Sequence, residues 1–406
     1  MAQAESPRPF RVFATPAYAW LLSGAFVSNV GTWMERIAVG VYVAERTGPG
    51  WTGTVAAVLF LPTAVLAPLG GALADRFERR AYLSVITLVL TGLAGVLAAL
   101  AFLDRLSLPV LLVLMLLTGA VSALHTPGFT ALLSEVVPEE HLTSAIFLNS
   151  GQWNVARILG PTLAAWIMAW GGVRWAFVAN TVSFWAVLLT LAASGVRREP
   201  SQRGESVREG LRAGVLAVRN DPGIALVLVL ALGTGVLVAP FIGLAPAFAV
   251  NVLAIGASGT SLLLAAQGAG AVFSSVFAST WADRIGSRRW LEWAGLALGP
   301  TAAWYWASGS EASATRSIFV LGAVYLAVVT GCSHVCLGRS PARIRARVSS
   351  LFNVVLDGGY ALGLVALGWA ADRWGLQRMA WVGCGAFVAL YAGLRWGRRE
   401  AFARLD

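Results

Sequence analysis

Residues 70–83 read GGALADRFERRAYL, and a related pattern returns at residues 279–293 as STWADRIGSRRWLEW. Each copy follows an apolar run, continues with Asp-Arg, and ends in a pair of arginines before the next apolar run begins. The two aspartates, Asp75 and Asp283, lie at nearly the same depth in the two halves of the chain. An internal repeat of this kind predicts two structurally related halves.

The composition predicts a protein that crosses a membrane several times. Of the 406 residues, 57% are hydrophobic and only 12% are charged, and the mean hydropathy is +0.71. A soluble protein carries roughly 25% charged residues. The net charge of +10 rests on arginine, because the chain contains no lysine. These arginines stand in short segments between apolar runs, which indicates membrane topology rather than nucleic-acid binding.

Apolar runs of about 20 residues are long enough to span a bilayer as helices. Twelve such runs are predicted as spans: 17–44, 51–74, 81–103, 108–134, 143–170, 172–195, 222–250, 257–281, 289–308, 316–338, 345–371 and 376–395. No short apolar core with a cleavage site precedes them, so the first run is expected to remain as a helix.

The predicted fold class is therefore an all-α membrane protein with twelve transmembrane helices in two pseudo-symmetric six-helix bundles. The N-terminal bundle covers residues 1–195 and the C-terminal bundle residues 222–406. Residues 196–221 form a polar linker, expected on the cytoplasmic side, whose later part has the spacing of an amphipathic helix. Most arginines outside the spans lie on the side of both termini, which predicts cytoplasmic termini.

Several stretches together resemble the major facilitator superfamily, and the resemblance covers essentially the whole chain. GALADRFERR resembles the superfamily's signature between the second and third helices, although Glu78 stands where glycine is usual. LNSGQWNVARILGPTLAAW (148–166) resembles the Gly-Pro signature of antiporters, with Ala156 in place of a glycine. SNVGTWMERIAVGVYVAERTG (28–48), EVVPEEHLTSAIFLNSGQWNVARILGP (135–161) and IRARVSSLFNVVLDGGYALG (344–363) resemble the branch that contains the enterobactin exporter and macrolide-efflux-like permeases.

The resemblance implies a secondary transporter whose halves rock about a central site, and a monomer. Gly160-Pro161 would give an antiporter-type bend in the fifth helix, although a simple packing kink is equally compatible. A cytoplasmic gate is expected where an aspartate can cap a neighbouring helix and pair with basic side chains. Its residues would be Asp75, Arg76, Arg79 and Arg80 in the first half and Asp283 and Arg284 in the second.

The first span carries a polar face within an apolar run. Asn29, Thr32, Trp33, Glu35 and Arg36 fall on one side of a helix, which must face the bundle interior because lipid would not accommodate it. Glu35 is a candidate for proton coupling, since desolvation and nearby positive charge act on it in opposite directions. A gate at the outer end of the helix and passive packing are the alternatives.

Two later spans add polar residues to the predicted cavity. The fifth span offers a cluster at helical spacing, and Arg157 within it needs a carboxylate or carbonyl partner. We predict that it pairs with Glu35, unless it extends toward the cytoplasmic face. The eleventh span supplies Asp357, a second candidate for proton coupling. The candidate cavity residues on these two spans are Asn149, Gln152, Trp153, Arg157, Asn353 and Tyr360.

No catalytic or cofactor-binding pattern is present in the sequence. It has no phosphate-binding glycine loop with lysine and no metal-ligand spacing, so neither an enzyme, a cofactor nor a metal is expected. The three cysteines, Cys332, Cys336 and Cys384, lie in apolar runs and predict no disulfide framework. His125 and His334 lie within spans, where a lone histidine is more often a packing residue than a proton carrier.

The sequence thus predicts a secondary transporter in a prokaryotic plasma membrane that exchanges protons for hydrophobic or amphipathic small molecules, such as drugs or siderophore-like compounds. Its partners would be that cargo, protons and membrane lipid. A lipid or lysolipid flippase of the same fold is the alternative, because two intramembrane arginines suit an anionic cargo. A receptor or scaffold without transport is disfavoured by the cost of acids inside the bundle.

Overall fold

The computed structural model describes residues 9–195, 216–341 and 344–403, apart from some side chains within these ranges. Most of the predicted linker, including its amphipathic segment up to residue 215, lies outside them. The longer helices are α1 (Pro16–Ala44), α2 (Pro49–Arg76), α3 (Arg79–Phe102), α4 (Leu108–Glu135), α5 (Leu142–Gly171), α6 (Val173–Ala193), α7 (Pro222–Gly233), α8 (Phe241–Ala247), α9 (Gly256–Ile285), α10 (Ser287–Trp306), α11 (Glu311–Arg339), α12 (Arg345–Trp374) and α13 (Leu376–Gly397). A short α14 (Arg399–Ala403) follows.

Within the described residues, eight helical segments are long and apolar enough to cross a membrane. They are α3, α4 to Leu133, α6, the continuous segment Pro222–Val252, α9 to Phe277, α11, α12 from Arg347, and α13. The other long helices, α1, α2, α5 and α10, match predicted spans in position, and α1 and α5 carry the polar faces noted above. An all-helical membrane fold is therefore observed, whereas the exact count of twelve spans stays a prediction.

Small residues allow α1 to pack tightly against α6. A Cβ at Gly31 would collide with the side chains of Ser183 and Asn180, and one at Gly24 would collide with Thr190. Helices approach closely at such positions because the glycine has no side chain to separate the backbones. This packing brings the buried part of α1 next to the polar residues of α6.

The segment Pro222–Val252 is helical but not uniform. A π-helical turn at Thr234–Val238 separates α7 from α8, and a second one follows at Phe248–Val252. Pro240 stands directly before α8, and Pro246 lies inside it. Proline lacks a backbone N–H and disrupts the regular helical hydrogen bonds. The π-helical turns and prolines therefore interrupt the regular α-helix of this span.

Asp221 anchors the start of α7 to the end of α11. Its Oδ1 accepts hydrogen bonds from the backbone N–H groups of Gly223 and Ile224 at 2.7 and 3.3 Å, and Arg339 Nε donates to its carboxylate at 3.0 Å. Burial favours the neutral acid, but these hydrogen bonds outweigh it, and the pKa of Asp221 lies below its ordinary value. The carboxylate therefore stays charged and holds the two helix ends together.

The first six helices contact the later ones at the end of the bundle where α1 ends and α2 begins, here named the far end. The N–H of Gly50, at the start of α2, donates to Asp372 Oδ1 near the end of α12 at 3.1 Å. Trp369 Nε1 donates to Thr54 Oγ1 at 3.0 Å, and the Trp369 ring meets Trp51 edge-on with centroids 5.2 Å apart. These contacts close the far end.

Neutralising the far-end carboxylate is expected to loosen this closure. A negative charge at a helix N-terminus contributes about 0.3–1 kcal/mol, so Asp372→Asn should shift the closed-to-open ratio by about two- to fivefold. Spin labels at positions 105 and 378, both exposed at the far end, would report the shift as a larger population of long distances by pulsed electron resonance.

Glu311→Gln is the matched control for this experiment, because Glu311 is an exposed acid in the first turn of α11, at the same end of the bundle. We expect no change in the distance distribution for this variant. Equal distributions for Asp372→Asn and Glu311→Gln would show that the Asp372 charge does not hold the far end closed.

Candidate functional site

Glu35 is buried between α1 and α6, with 6% of its surface exposed. Its Oε2 accepts a hydrogen bond of 2.6 Å from the Nδ2 of Asn180, which is 1% exposed. Ser183 Oγ in turn donates to Asn180 Oδ1 at 3.2 Å and fixes the amide. The carboxyl group is therefore held by a neutral partner rather than by an arginine.

Arg36 points to a different side of α1 and lies among aromatic rings. Its guanidinium carbon is 5.1 Å from the ring centroids of Trp33 and Phe60 and 5.9 Å from that of Trp153. These distances suit cation–π attraction, which strengthens in a desolvated site. No carboxylate of the described residues lies within ion-pair distance, and the buried Arg36 Nε lacks a hydrogen-bond partner there.

Arg157 does not pair with Glu35, so that prediction is wrong, and it does not extend toward the cytoplasmic face. Its Nη2 and Nε donate to Gln267 Oε1 on α9 at 2.7 and 3.2 Å. Gln267 is 1% exposed, and its own Nε2 has no partner within the described structure. Arg157 also lies 5.7 Å from the Trp33 ring. The α5–α9 contact supplies an amide carbonyl at the place where we expected a carboxylate.

A central cavity of about 90 Å³ lies beside these groups. Trp33, Glu35, Arg36, Phe60 and Tyr360 line it, together with apolar residues of α1, α2, α4, α8 and α9. Tyr360 meets Phe60 edge-on with centroids 5.2 Å apart. The cavity thus combines an aromatic wall with one acid and one base.

Asp357 lies one helical turn before Tyr360 on α12, and its charge interacts with that of Arg36. Asn353, one turn further back, is exposed and does not line this cavity. Thr32 is partly buried and likewise does not line it. The structure therefore brings Asp357 and Tyr360 toward the predicted site, but not Asn353 or Thr32.

Asn29, Asn149, Gln152 and Trp153 line a different and larger space of about 330 Å³ between α1, α4 and α5. Asn29 Nδ2 donates to Gln152 Oε1 at 3.0 Å, and Gln152 Nε2 donates to Asn149 Oδ1 at 3.3 Å. The two cavities are neighbours at Trp153, which lines the larger one and whose ring centroid is 6.0 Å from that of Trp33 in the central cavity. The predicted cavity residues are thus divided between two neighbouring spaces.

The predicted gate residues are described only in part. Arg79 pairs with Glu135 of α4 at 3.0 Å, Arg80 Nη2 donates to the carbonyl of Ala192 at 3.2 Å, and Arg76 is exposed. Glu78, the departure from the family pattern, caps α3 by accepting from the N–H groups of Arg80 and Ala81. The side chains of Asp75, Asp283 and Arg284 lie outside the described residues.

Gly160 and Pro161 lie at the contact of α5 with α1. A Cβ at Gly160 would collide with Trp33, so this glycine sets the distance between the two helices. Pro161 is buried, and α5 continues through it to Gly171. The pair therefore fits close packing, and its predicted role as an antiporter-type bend stays a prediction.

Sequence reasoning missed three partners: Asn180, Gln267 and Phe60. Asn180 and Gln267 are single amides within apolar runs, NTVSFW and AAQGAG. Buried polar groups need partners inside the protein, so these amides could have been flagged as partners for the buried charges. Phe60 carries no such signal, because an aromatic residue is ordinary in an apolar span.

Comparisons with known proteins agree with this architecture. A family model described as transmembrane secretion effector matches residues 7–401. Macrolide efflux protein A of Streptococcus pyogenes is 28% identical over 51% of this chain and 52% of its own length. A Na(+), Li(+), K(+)/H(+) antiporter of Planococcus maritimus is 31% identical over 36% of this chain and 34% of its own. The chain thus spans about half the length of the first of these relatives and a third of the second.

A solved structure extends the comparison to the fold. A bacterial homologue of the human lysosomal transporter Spinster, in an inward-facing and unoccupied conformation, superposes with a TM-score of 0.77 at 14% identity. The match covers 96% of this chain and 98% of that one. At this identity the similarity concerns the fold alone.

Removing the amide beside Glu35 is expected to destabilise the protein. Asn180→Leu leaves the buried carboxylate without its hydrogen bond, which costs about 1–3 kcal/mol, so the Tm of the purified protein should fall. Asn154→Leu is the control, because Asn154 donates only to the Ser150 carbonyl at an exposed position. An equal Tm for the two variants would contradict a structural role for the Glu35–Asn180 bond.

Proposed function

Because the chain belongs to the transmembrane secretion effector family of the major facilitator superfamily, we propose that it exports hydrophobic or amphipathic small molecules in exchange for protons. Twelve spans in two six-helix bundles, residues 1–195 and 222–406, would rock about the central cavity. The protein would be a multi-pass, monomeric component of a bacterial plasma membrane, in contact with its lipid, with both termini in the cytoplasm.

The observation that carries the proposal is the setting of Glu35. It is a buried acid on the wall of the central cavity, and its partner is the neutral amide of Asn180. An ion pair would hold the carboxylate charged and would leave a cation unpaired on protonation, whereas beside an amide partner the carboxyl group can take up a proton without leaving a cation unpaired. Glu35 therefore suits proton coupling, and Asp357, near Arg36, is the second candidate.

The contacts between the first six helices and the later ones suit alternating access. The far end is closed by Asp372 and Trp369, and Arg157 bridges α5 to Gln267 of α9 near the centre. In the proposed cycle the far end opens to the outside. The hydrogen bond between Arg157 and Gln267 then rearranges, and the gate around Asp75 and Asp283 closes the cytoplasmic side. Coupling requires that proton and cargo bind differently to the two states.

The cavity walls support a hydrophobic or amphipathic cargo. Trp33, Phe60 and Tyr360 offer aromatic surface, and apolar residues supply most of the remaining lining. Aromatic side chains provide large apolar contact with a preferred geometry for flat ligands. The name of the macrolide efflux relative is consistent with such a cargo.

Transport is tested with purified protein in liposomes that contain a pH-sensitive dye. A panel of lipophilic cations, macrolides, siderophores and lysolipids is added under an imposed pH gradient. We expect at least one cargo to drive proton movement through the wild type. Glu35→Gln should reduce this proton movement by about tenfold or more, because a coupling group that cannot release a proton removes the linkage.

Glu45→Gln is the control, since Glu45 is an exposed acid directly after α1 and should leave coupling intact. Asp357→Asn tests the second candidate in the same assay. Cargo movement without a proton signal in both wild type and Glu35→Gln would contradict antiport. If only lysolipids moved, the flippase alternative would replace the proposal.

A further inference from the structure

The 330 Å³ space between α1, α4 and α5, here named the amide chamber, has a lining unlike that of the central cavity. Its lining contains no Asp, Glu or Arg. Nine of the thirteen lining residues carry uncharged hydrogen-bonding side chains, among them Asn29, His125, Thr126, Asn149 and Gln152. A charged ligand group would find no counter-charge there, whereas a neutral polar group would find many partners.

Three of the four amide side chains in the chamber form a chain with open ends. Asn29 donates to Gln152, and Gln152 donates to Asn149. Within the described residues, this leaves the Asn29 carbonyl without a donor and the Asn149 amide nitrogen without an acceptor. Reversing the amides would exchange the two ends and still leave one donor and one acceptor. The chamber thus offers both kinds of hydrogen-bonding group to a ligand.

His125 adds a third unpaired group. Its Nε2 is buried and has no hydrogen-bond partner in the described part of the chain, while its ring stacks on Phe129 with centroids 5.5 Å apart. Buried polar atoms are normally paired with protein, water or ligand. The hydroxyl of Thr126 already donates to the Ser122 carbonyl, so its oxygen is available to the chamber as an acceptor.

The chamber adjoins the central cavity through tryptophan. Trp153 lines the chamber, and its ring lies next to Trp33, which lines the central cavity. A ligand with a polar part and a flat apolar part could therefore place one part in each space. At about 30 Å³ per water molecule the chamber has room for about eleven waters, so it has space for a polar group of several heavy atoms.

We propose that the amide chamber binds a neutral, hydroxyl-rich group of the cargo, such as the sugar of an amphipathic glycoside, while the apolar part lies against Trp33 and Phe60. Sugar hydroxyls both donate and accept hydrogen bonds, which matches the open ends of the amide chain. The apolar C–H face of a sugar ring would contact the Trp153 ring. This assignment rests on the proposed transport function and names its substrate class.

The test compares three ligands with one aromatic part: 2-naphthyl β-D-glucopyranoside, 2-naphthol and 2-naphthyl sulfate. The protein is placed in lipid nanodiscs rather than in an alkyl glycoside detergent, which would itself present a sugar. Calorimetric titration, corrected with empty nanodiscs, gives each Kd. We expect the glucoside to bind about tenfold more tightly than the other two, since a site built for hydroxyl groups rejects analogues that lack them.

Gln152→Leu should remove the preference for the glucoside while leaving the affinity for 2-naphthol unchanged. Asn149→Ala should weaken the preference for the glucoside. Gln377→Leu is the matched control, because Gln377 donates to the Trp306 carbonyl, away from both cavities. Equal Kd values of the glucoside and 2-naphthol for the wild type would overturn the proposal, because the sugar would then add no affinity. Tighter binding of the sulfate would overturn it in favour of an anion site.

The experiments can contradict the chamber assignment without contradicting proton antiport, and the reverse. If another cargo drives protons through the wild type but the glucoside shows no preference, only the assignment of the amide chamber fails. If the glucoside binds preferentially but no cargo drives proton movement through the wild type, the chamber assignment stands and proton antiport fails.

Discussion

A buried charge in a membrane protein has no water to solvate it, so each one must be satisfied by groups that neighbouring helices bring to it. Much of the central architecture follows from this constraint. Glu35 is bound by Asn180 of α6, and Arg157 by Gln267 of α9. Arg36 instead lies among aromatic rings. Each of these arrangements requires that two helices lie close together, and the small residues of α1 and α5 permit this close packing.

The partners of these charges are neutral, which has a mechanical consequence. Direct ion pairs between buried groups are costly to break, because separation leaves two unpaired charges in a medium of low dielectric constant. Here Glu35 and Arg157 are hydrogen-bonded to different amides, and the two arginines share the Trp33 ring but no hydrogen-bond partner. A change at one of them does not force the others to lose a charged partner. The centre of the bundle can therefore be rearranged in steps.

Much of the fold could be predicted from sequence, because a run of about 20 apolar residues permits little besides a helix in a membrane. The helix bounds follow the predicted runs closely, and the polar faces of α1 and α5 do point into the bundle. The partners of individual charges could not be predicted. The sequence shows that Arg157 needs a hydrogen-bond acceptor. Only the packing of α5 on α9 shows that this acceptor is Gln267 and not Glu35. Similarly, Asn29 and Arg36 share a polar face, yet they line separate cavities.

The two π-helical turns in Pro222–Val252 also affect how that segment can be compared with other helices. In a regular helix, successive residues turn by about 100°, and a π-turn accommodates one residue more than an α-turn does. Two such turns, at Thr234–Val238 and Phe248–Val252, therefore displace the faces by up to about 200° along one span. A helical wheel drawn through the whole segment assigns residues after Val238 to the wrong side. Residues that face the cavity must therefore be identified separately for α7 and α8. In a relative whose span lacks either turn, the residue at the equivalent sequence position faces a different side of the helix.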